Sequence, residues 1–251
     1  KKVILWMSLI GVTLFMTSCL EEGNQNYSET SVAYIAADIA TGRVYGRTIS
    51  GRLITSPTMQ LMLPGSFQFL RYSWVEEDGK TPISVSATST EVYQADNVVL
   101  TGDPVPIQRV PLLVNQDPPQ VENRDKFVGI DPPVYATDPI YLGDHWLLQY
   151  AYEAKRGESA NVNFYYTEDP EAAENEITIV IDLAITGEPE AGSSATTMTD
   201  IIALNMSQLR AMHEGSSTTN TKELNITFKY YLKDRDQIVD SPVYRMTVKG
   251  D

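Results

Sequence analysis

The alternation of apolar and polar residues constrains this fold more than any other sequence feature. It is clearest in EITIVIDLAIT, residues 176–186. One parity of this run is occupied by Ile177, Ile179, Ile181, Leu183 and Ile185. Successive side chains of a strand point to opposite faces of a sheet, so the run predicts a strand with one buried face. Similar short runs recur along the chain and long helical periods are scarce, which predicts an all-β protein.

The predicted strands fall into two groups. Residues 31–102 contain short runs with glycines at the bends, a pattern that fits a small closed barrel. Residues 140–251 contain a second set, which fits an immunoglobulin-like sandwich. Within this second set we expect the run 145–154 to pair with the run 160–168. We also expect a short helix near residues 206–215, capped by its terminal glycine.

A proline-rich stretch, residues 103–139, separates the two groups. The segment from Gly102 to Pro139 holds eight of the fourteen prolines. Proline has no backbone N–H and biases the residue before it toward extended geometry, so we expect a linker rather than a central strand. The apolar run IQRVPLLV within it should pack along a domain surface.

The N-terminus has the pattern of a bacterial lipoprotein signal. Two lysines precede fourteen uncharged residues, and small Thr17 and Ser18 lie directly before Cys19, the single cysteine. The apolar run is too short to span a membrane, and the order of segments is that of a secretory signal. MTSC resembles a lipobox, so we expect residues 1–18 to be removed and Cys19 to be lipidated. An ordinary secretory signal with a chance cysteine is the alternative.

The residues that follow Cys19 predict the location. Residues 19–30 are polar and would form a lipidated, flexible tether. Glu21 and Glu22 resemble the acidic export signal that takes lipoproteins of Bacteroidetes to the outer face of the outer membrane. We therefore expect a protein bound to the outer membrane through its lipid anchor, exposed on the cell surface. The alternative is the periplasmic face of that membrane, with glutamates that only solvate the tether.

Charge and residue types exclude several function classes. The formal net charge of −14 repels nucleic acid, and no cluster of lysine and arginine counters it. The two histidines, His145 and His213, lie in different segments, so we expect no histidine-based metal site. Instead His145 should be structural at the start of a strand, and His213 should lie near a helix end. Since no nucleophile motif or phosphate loop occurs, we expect neither an enzyme nor a cofactor.

One acidic segment leaves calcium open as a ligand. Five carboxylates occur within TEDPEAAENE, between Glu168 and Glu176. Calcium takes six to eight oxygen ligands from loops of this kind. The same composition is also typical of a solvated turn in an acidic protein.

Paired tyrosines leave glycan binding open. The candidates are Tyr150, Tyr152, Tyr165, Tyr166 and Tyr230. Aromatic rings exposed on a sandwich could stack on sugar rings and form a glycan-binding platform. The alternative is packing, in which one tyrosine of a pair lies in the core and the other rests on the sheet surface.

The layout of the chain resembles that of the NigD-like lipoproteins of Bacteroidetes. The resemblance is carried by the lipobox TSC, LPGSFQFLRYSW, DPIYLGDHWLLQYAY with ANVNFYYTED, and IIALNMSQL followed by ELNITFKYYL. It implies an OB-like barrel over residues 31–102 and an immunoglobulin-like sandwich over residues 140–251, behind a lipoprotein signal. It implies no enzymatic activity.

These observations predict a non-enzymatic lipoprotein of the cell envelope. We expect it to act as an interaction or assembly module with other envelope proteins as partners. The alternative function is glycan binding at the cell surface through exposed aromatics of the sandwich. A hydrolase would need a cleft with converging polar groups, which no motif in the sequence indicates.

Overall fold

The fold is all-β, as the alternation predicts. A computed structural model describes residues 26–85, 91–138, 141–217 and 219–251, and in them sixteen strands accompany one short α-helix. The first eight strands are β1 (Tyr27–Ala37), β2 (Val44–Thr48), β3 (Leu53–Thr55), β4 (Phe67–Trp74), β5 (Lys80–Ser84), β6 (Val92–Asn97), β7 (Val99–Leu100) and β8 (Val105–Val114). The others are β9 (Gly129–Ile130), β10 (His145–Ala154), β11 (Glu158–Tyr166), β12 (Glu176–Gly187), β13 (Thr196–Asn205), β14 (Thr221–Tyr231), β15 (Ile238–Asp240) and β16 (Tyr244–Lys249). Among the described residues, no helix has the length and apolar character needed to cross a membrane.

Strand β1 is the centre of the N-terminal group. It pairs antiparallel with β2 on one side and with β4 on the other, and β3, β6 and β5 extend the sheet beyond β2. Its residues Ala33 and Ile35 are fully buried and share a core with Ile54 and Met59. A Cβ added at Gly46 of β2 would lie 3.0 Å from the Met59 methyl, so a larger residue there would require the surrounding side chains to shift.

Strand β1 begins inside the stretch predicted as a tether. Residues 27–30 pair with residues 71–74 of β4, which corrects the prediction of a flexible tether for this part of the chain. The reason is cross-strand packing: Tyr27 lies opposite Trp74, and their rings stack with centroids 5.3 Å apart. The remainder of the predicted tether, up to residue 25, lies outside the described residues.

The predicted proline-rich linker contributes a full strand, β8, to the sheet. Its first part pairs antiparallel with β4, residues 108–111 pair parallel with β13, and residues 112–114 pair parallel with β11. The expectation that this segment is a poor strand is therefore wrong for residues 105–114. Prolines are tolerated because each partner pairs with only three or four residues of β8, so no long ladder needs their missing N–H groups.

After β8 the chain runs across the C-terminal strands. Phe127 is 1% exposed, and its backbone N–H donates to the carbonyl oxygen of Tyr231 over 2.9 Å. Arg124 forms an ion pair with Asp182, with 2.5 Å between Nη1 and Oδ1, and both side chains are largely buried. Strand β9 then adds to the edge of β10. The segment is therefore fixed at several points along its length.

The C-terminal strands form two sheets that share one core. β10 pairs with β13 and β9, whereas β11 pairs with β12, and β12 with β14. The predicted pairing of β10 with β11 is wrong, because the chain crosses between the sheets at residues 155–157. This crossing lets the even-numbered side chains of both strands meet in the core. That core includes Trp146, Leu148, Tyr150, Val162, Phe164, Ile179, Ile181, Ile226 and Phe228. Assignment of the two strand groups to OB-like and immunoglobulin-like domains stays a prediction.

The second face of β10 packs against the N-terminal group. Leu147 of β10 and Ala203 of β13 lie in a separate cluster with Val32 of β1 and Phe67 of β4. The start of β10 is therefore buried on both faces, which explains its uninterrupted apolar sequence.

The predicted short helix is present as α1 (Ser207–His213), but it ends differently. The residue that ends the helix, Glu214, has extended backbone geometry, so the predicted left-handed glycine cap does not form. Gly215 is required for another reason: a Cβ there would overlap the carbonyl oxygen of Gly250. Arg210 of the helix binds the Asp144 carboxylate through two nitrogens, at 2.8 and 3.1 Å.

Candidate functional site

The five tyrosines predicted as a glycan platform are buried. Their exposed fractions are 5% for Tyr150 and Tyr152, 8% for Tyr165, 3% for Tyr166 and 9% for Tyr230. Four of them belong to the C-terminal core. Tyr165 points to the outer face of β11, where the segment carrying Arg124 crosses the sheet. The prediction of an exposed sandwich platform is therefore wrong, because four of the rings lie in the core and the fifth is covered by a distant part of the chain.

Both histidines occupy the structural positions predicted for them. His145 begins β10, is 6% exposed, and donates from Nδ1 to the carbonyl oxygen of Gly143 at 2.7 Å. Its buried Nε2 makes no hydrogen bond within the described residues. Burial lowers the pKa of His145, and the hydrogen bonds to carbonyl oxygens oppose this only in part. His213 is the last residue of α1, and burial lowers its pKa as well.

The acidic segment between Glu168 and Glu176 uses its carboxylates in local contacts. Asp169 accepts a hydrogen bond from the backbone N–H of Glu171 at 2.9 Å, and Glu174 pairs with Lys222 at 3.0 Å. Within the described part of the chain, no three His, Cys, Asp or Glu side chains are grouped as a metal site would require.

The lipidation residue Cys19 and the export-signal residues Glu21 and Glu22 lie outside the described residues. Their roles stay predictions from the sequence.

A mixed polar and aromatic cluster lies at the start of β1. Antiparallel residues that lie opposite each other share a face, and Tyr27 and Glu29 of β1 lie opposite Trp74 and Tyr72 of β4. Arg52 reaches the same face from the turn that follows β2. We refer to this set as the Arg52 cluster; its members are Tyr27, Glu29, Ser50, Arg52, Tyr72, Trp74, Lys80 and Asp96.

Three ion pairs and a hydrogen bond hold the polar part of the Arg52 cluster. Arg52 Nη1 lies 2.7 Å from Asp96 Oδ2, and Arg52 Nε lies 3.5 Å from Glu29 Oε2. Lys80 Nζ lies 3.3 Å from the second Asp96 oxygen, because β5 pairs Lys80 directly with Asp96 of β6. Ser50 Oγ donates to Glu29 Oε1 at 2.6 Å. The carboxylates are deep and the cations are shallow: side-chain exposure is 15% and 11% against 37% and 61%.

Aromatic rings form one wall of the Arg52 cluster. The Arg52 guanidinium lies 4.3 Å from the Trp74 ring centroid, and Trp74 stacks on Tyr27. Trp74 and Tyr27 are each partly exposed, and Trp74 also packs on the buried N-terminal core. Cation–π contact and ion pairing together fix the guanidinium plane.

A buried hydroxyl lies beneath this surface. Tyr72 is fully buried, and its Oη has no hydrogen-bond partner within the described residues. Burial, followed by the negative charge of Glu29, raises the pKa of Tyr72 far above its ordinary value. The phenol is therefore neutral and holds a hydrogen atom that it could donate.

The arrangement is suited to binding. Two carboxylates balance two cations, and shallow N–H donors lie beside apolar ring edges. No local motif marks this surface, because its residues come from five separate strands or turns. The one usable signal was the alternation of Tyr27 and Glu29 inside the segment interpreted as a tether.

A second polar surface lies on the outer face of β12, β14 and β16. It is a depression of about 380 Å³ lined by polar side chains that include Glu176, Asn225 and Arg245. Arg245 pairs with Glu223 at 3.4 Å and is 71% exposed. No aromatic ring lines this depression among the described residues, which distinguishes it from the Arg52 cluster.

Comparison with known proteins shows what this fold is similar to. No protein-family model and no curated protein matches the sequence. An uncharacterized protein from Parabacteroides merdae matches with a TM-score of 0.57 and 11% identity, over 88% of this chain and 100% of that chain. A protein described as "Putative lipoprotein" from Bacteroides fragilis matches with a TM-score of 0.54 and 12% identity, over 90% and 99%. A NigD-like immunity protein from Bacteroides caccae gives 0.47 and 11%, over 87% and 96%.

Likeness at this level of identity concerns the fold. Matches above a TM-score of 0.5 extend over nearly the whole of both chains, so they include both strand groups and β8 between them. The chain therefore shares its architecture with solved proteins of Bacteroidetes, the bacterial group of the NigD-like lipoproteins that its sequence resembles.

Proposed function

We propose that the protein is a non-enzymatic lipoprotein of the cell envelope that acts as an interaction or assembly module. The observation that carries the proposal is the Arg52 cluster, a preformed surface of balanced charges and aromatic rings. Interfaces and ligand sites are enriched in tryptophan, tyrosine and arginine, since these side chains combine large contact area with hydrogen bonding.

The position of the Arg52 cluster fits an anchored protein. Tyr27, a member of the cluster, begins β1. If Cys19 carries lipid, the eight residue steps from Cys19 to Tyr27 span at most about 30 Å. The cluster would then face ligands or partners within reach of the membrane surface. The fold likeness to a protein described as "Putative lipoprotein" supports the same reading.

Location is tested by treating intact cells with a protease that cannot cross the outer membrane. We expect the wild-type protein to be digested and the Glu21→Ala/Glu22→Ala double variant to be protected. Cys19→Ala should be released from the membrane fraction. Protection of wild type in intact cells, with digestion after lysis, would place the protein on the periplasmic side. A wild-type protein that is not retained by membranes would refute the anchor.

The absence of enzymatic activity is tested with the purified chain that begins at Cys19. A broad panel of glycosides, esters, peptides and phosphoesters should show no turnover. Robust turnover of any of them would overturn this part of the proposal.

Crosslinking in cells tests the interaction role. Wild type is compared with Arg52→Ala, and we expect crosslinked partners that depend on the Arg52 cluster.

A further inference from the structure

The charge balance of the Arg52 cluster restricts what can bind there. Glu29 and Asp96 are neutralised by Arg52 and Lys80 within the cluster. An anion would compete with the carboxylates for the cations, and a cation would compete with the cations for the carboxylates. A neutral ligand leaves all three ion pairs intact, and so avoids the cost of uncovering a partly buried charge.

The hydrogen-bonding groups that remain suit hydroxyls. Arg52 has five N–H donors and Lys80 has three, and these side chains are the exposed members of the ion pairs. The carboxylates retain lone pairs beyond the contacts they make. A hydroxyl group can accept from the guanidinium or ammonium and donate to the carboxylate beside it. Vicinal hydroxyls therefore match alternating cations and carboxylates.

The aromatic wall suits the apolar face of the same ligand. Trp74 and Tyr27 lie directly beside the polar groups and are partly exposed. Small-molecule sites combine apolar and aromatic lining with a few placed polar groups. A ring that has hydroxyls at its edge and C–H bonds on its face meets both requirements.

The orphan hydroxyl of Tyr72 is a separate observation that indicates a ligand. A fully buried phenol without a partner is unusual, because buried polar groups are almost always hydrogen-bonded. Tyr72 lies opposite Glu29, on the face that carries the cluster. Glu29 and Ser50 lie next to this phenol, so a ligand hydroxyl that inserts between their side chains would accept this hydrogen bond.

We infer that the Arg52 cluster is a binding site for a neutral saccharide. This inference rests on the proposed binding role and names its ligand class. Arg52 and Lys80 donate to the sugar hydroxyls, and Glu29 and Asp96 accept from them. Because Arg52 and Tyr27 lie against the Trp74 ring, the exposed edges of Trp74 and Tyr27 contact the C–H groups of the sugar, and Tyr72 lies beneath them.

Tryptophan fluorescence provides a direct test. Without residues 1–18 the chain retains Trp74 and Trp146. Trp146 is 3% exposed and stacks on Tyr135 at 4.1 Å, so a ligand at the cluster should change only the signal of Trp74. The chain that begins at Cys19 is titrated with neutral gluco-, manno- and galacto-oligosaccharides, and with oligogalacturonate as the anionic counterpart. We expect at least one neutral saccharide to change the fluorescence in a saturable way.

Variants connect the binding to the residues. Arg52→Ala should weaken binding about tenfold or more, as loss of an anchoring side chain does. Tyr72→Phe should weaken it about three- to tenfold without lowering the thermal midpoint, as loss of one hydrogen bond does. The matched control is Arg245→Ala, which removes an exposed ion-paired arginine outside the cluster and should leave binding unchanged.

Three results would overturn the inference. They are no binding of any neutral saccharide, preferential binding of oligogalacturonate, and binding that Arg52→Ala and Tyr72→Phe leave unchanged. If saccharides fail while crosslinked partners still depend on Arg52, the saccharide inference fails and the interaction module stands. If neither is found and wild type is not membrane-bound, the proposed function itself fails.

Discussion

Replacing Tyr72 with phenylalanine removes one oxygen atom and leaves the ring in place. Tyr72 is fully buried, and its ring packs in the N-terminal core at 5.8 Å from Trp74. Glu29 and Ser50 lie next to its Oη, but none of the described residues forms a hydrogen bond of normal geometry with it. The folded protein therefore bears most of the cost of removing this hydroxyl from water. We expect Tyr72→Phe to be more stable than wild type.

The magnitude follows from that cost. An unsatisfied buried polar group costs about 1–3 kcal/mol, and phenylalanine preserves the ring contacts. Allowing for small rearrangement, we expect the free energy of unfolding to rise by about 1 kcal/mol. In a protein of this size that corresponds to an increase in thermal midpoint of about 2–4 °C.

Tyr45→Phe is the matched control in the same strand group. Tyr45 is also fully buried, but its Oη accepts hydrogen bonds from Arg47 Nη2 at 2.6 Å and Nε at 3.1 Å. The same substitution there removes two hydrogen bonds from a buried cation. We expect a loss of about 1.5–3 kcal/mol, opposite in sign to the change at Tyr72.

Urea unfolding followed by tryptophan fluorescence and far-UV circular dichroism measures both changes. The two variants are compared with wild type at one pH, and equal denaturant slopes show that the comparison is valid. If Tyr72→Phe were less stable than wild type by about 1 kcal/mol or more, the reasoning would be refuted. That threshold equals the lower bound of the cost of an unsatisfied buried polar group. That result would show that the hydroxyl is hydrogen-bonded in the folded protein.

Three further changes have expected outcomes. Burial lowers the pKa of His145 in the folded protein below its ordinary 6.5. Its neutral form therefore costs no stability above pH 6.5, and stability is lost as the pH falls from 6.5 through the lowered folded-state pKa. Urea midpoints at neutral and acidic pH should differ less in His145→Asn, and an equal difference contradicts this. Gly215→Ala should lower the thermal midpoint because its Cβ would overlap Gly250, whereas Gly129→Ala, whose Cβ meets no atom within 4 Å, should not. Arg210→Ala should lower the free energy of unfolding in urea by about 3–5 kcal/mol, because it leaves the Asp144 carboxylate, which is 13% exposed, without its partner. A loss below about 1 kcal/mol would mean that the pair behaves as a surface pair.

Local patterns were enough to predict the all-β class and several individual elements. The isoleucines of β12 repeat every second residue, and the structure buries that parity from Ile177 to Leu183 while leaving Glu176 and Thr178 exposed. The helix α1 was also predictable from its local sequence. These features depend on the period of one segment, which a single sequence contains in full.

Pairing depends on residues that are distant in sequence, and there the predictions failed. Nothing within β10 or β11 shows that they belong to different sheets, because either arrangement buries the same parity. The exposure of Tyr165 was unpredictable for a similar reason: its parity places it on an outer face, but Arg124 and its neighbours cover that face. The Arg52 cluster brings together residues from β1, β4, β5 and β6, so no local motif marks it.

Strand β8 has a consequence for how the molecule can be divided. A cut on either side of the proline-rich segment leaves β4 without its neighbour in one fragment, or β11 and β13 without theirs in the other. Unpaired edges of this kind, with Phe67 on β4 and Phe164 on β11, promote aggregation. The halves are therefore not interchangeable modules: recombination that exchanged one of them would have to carry β8 together with matching edges from both sides.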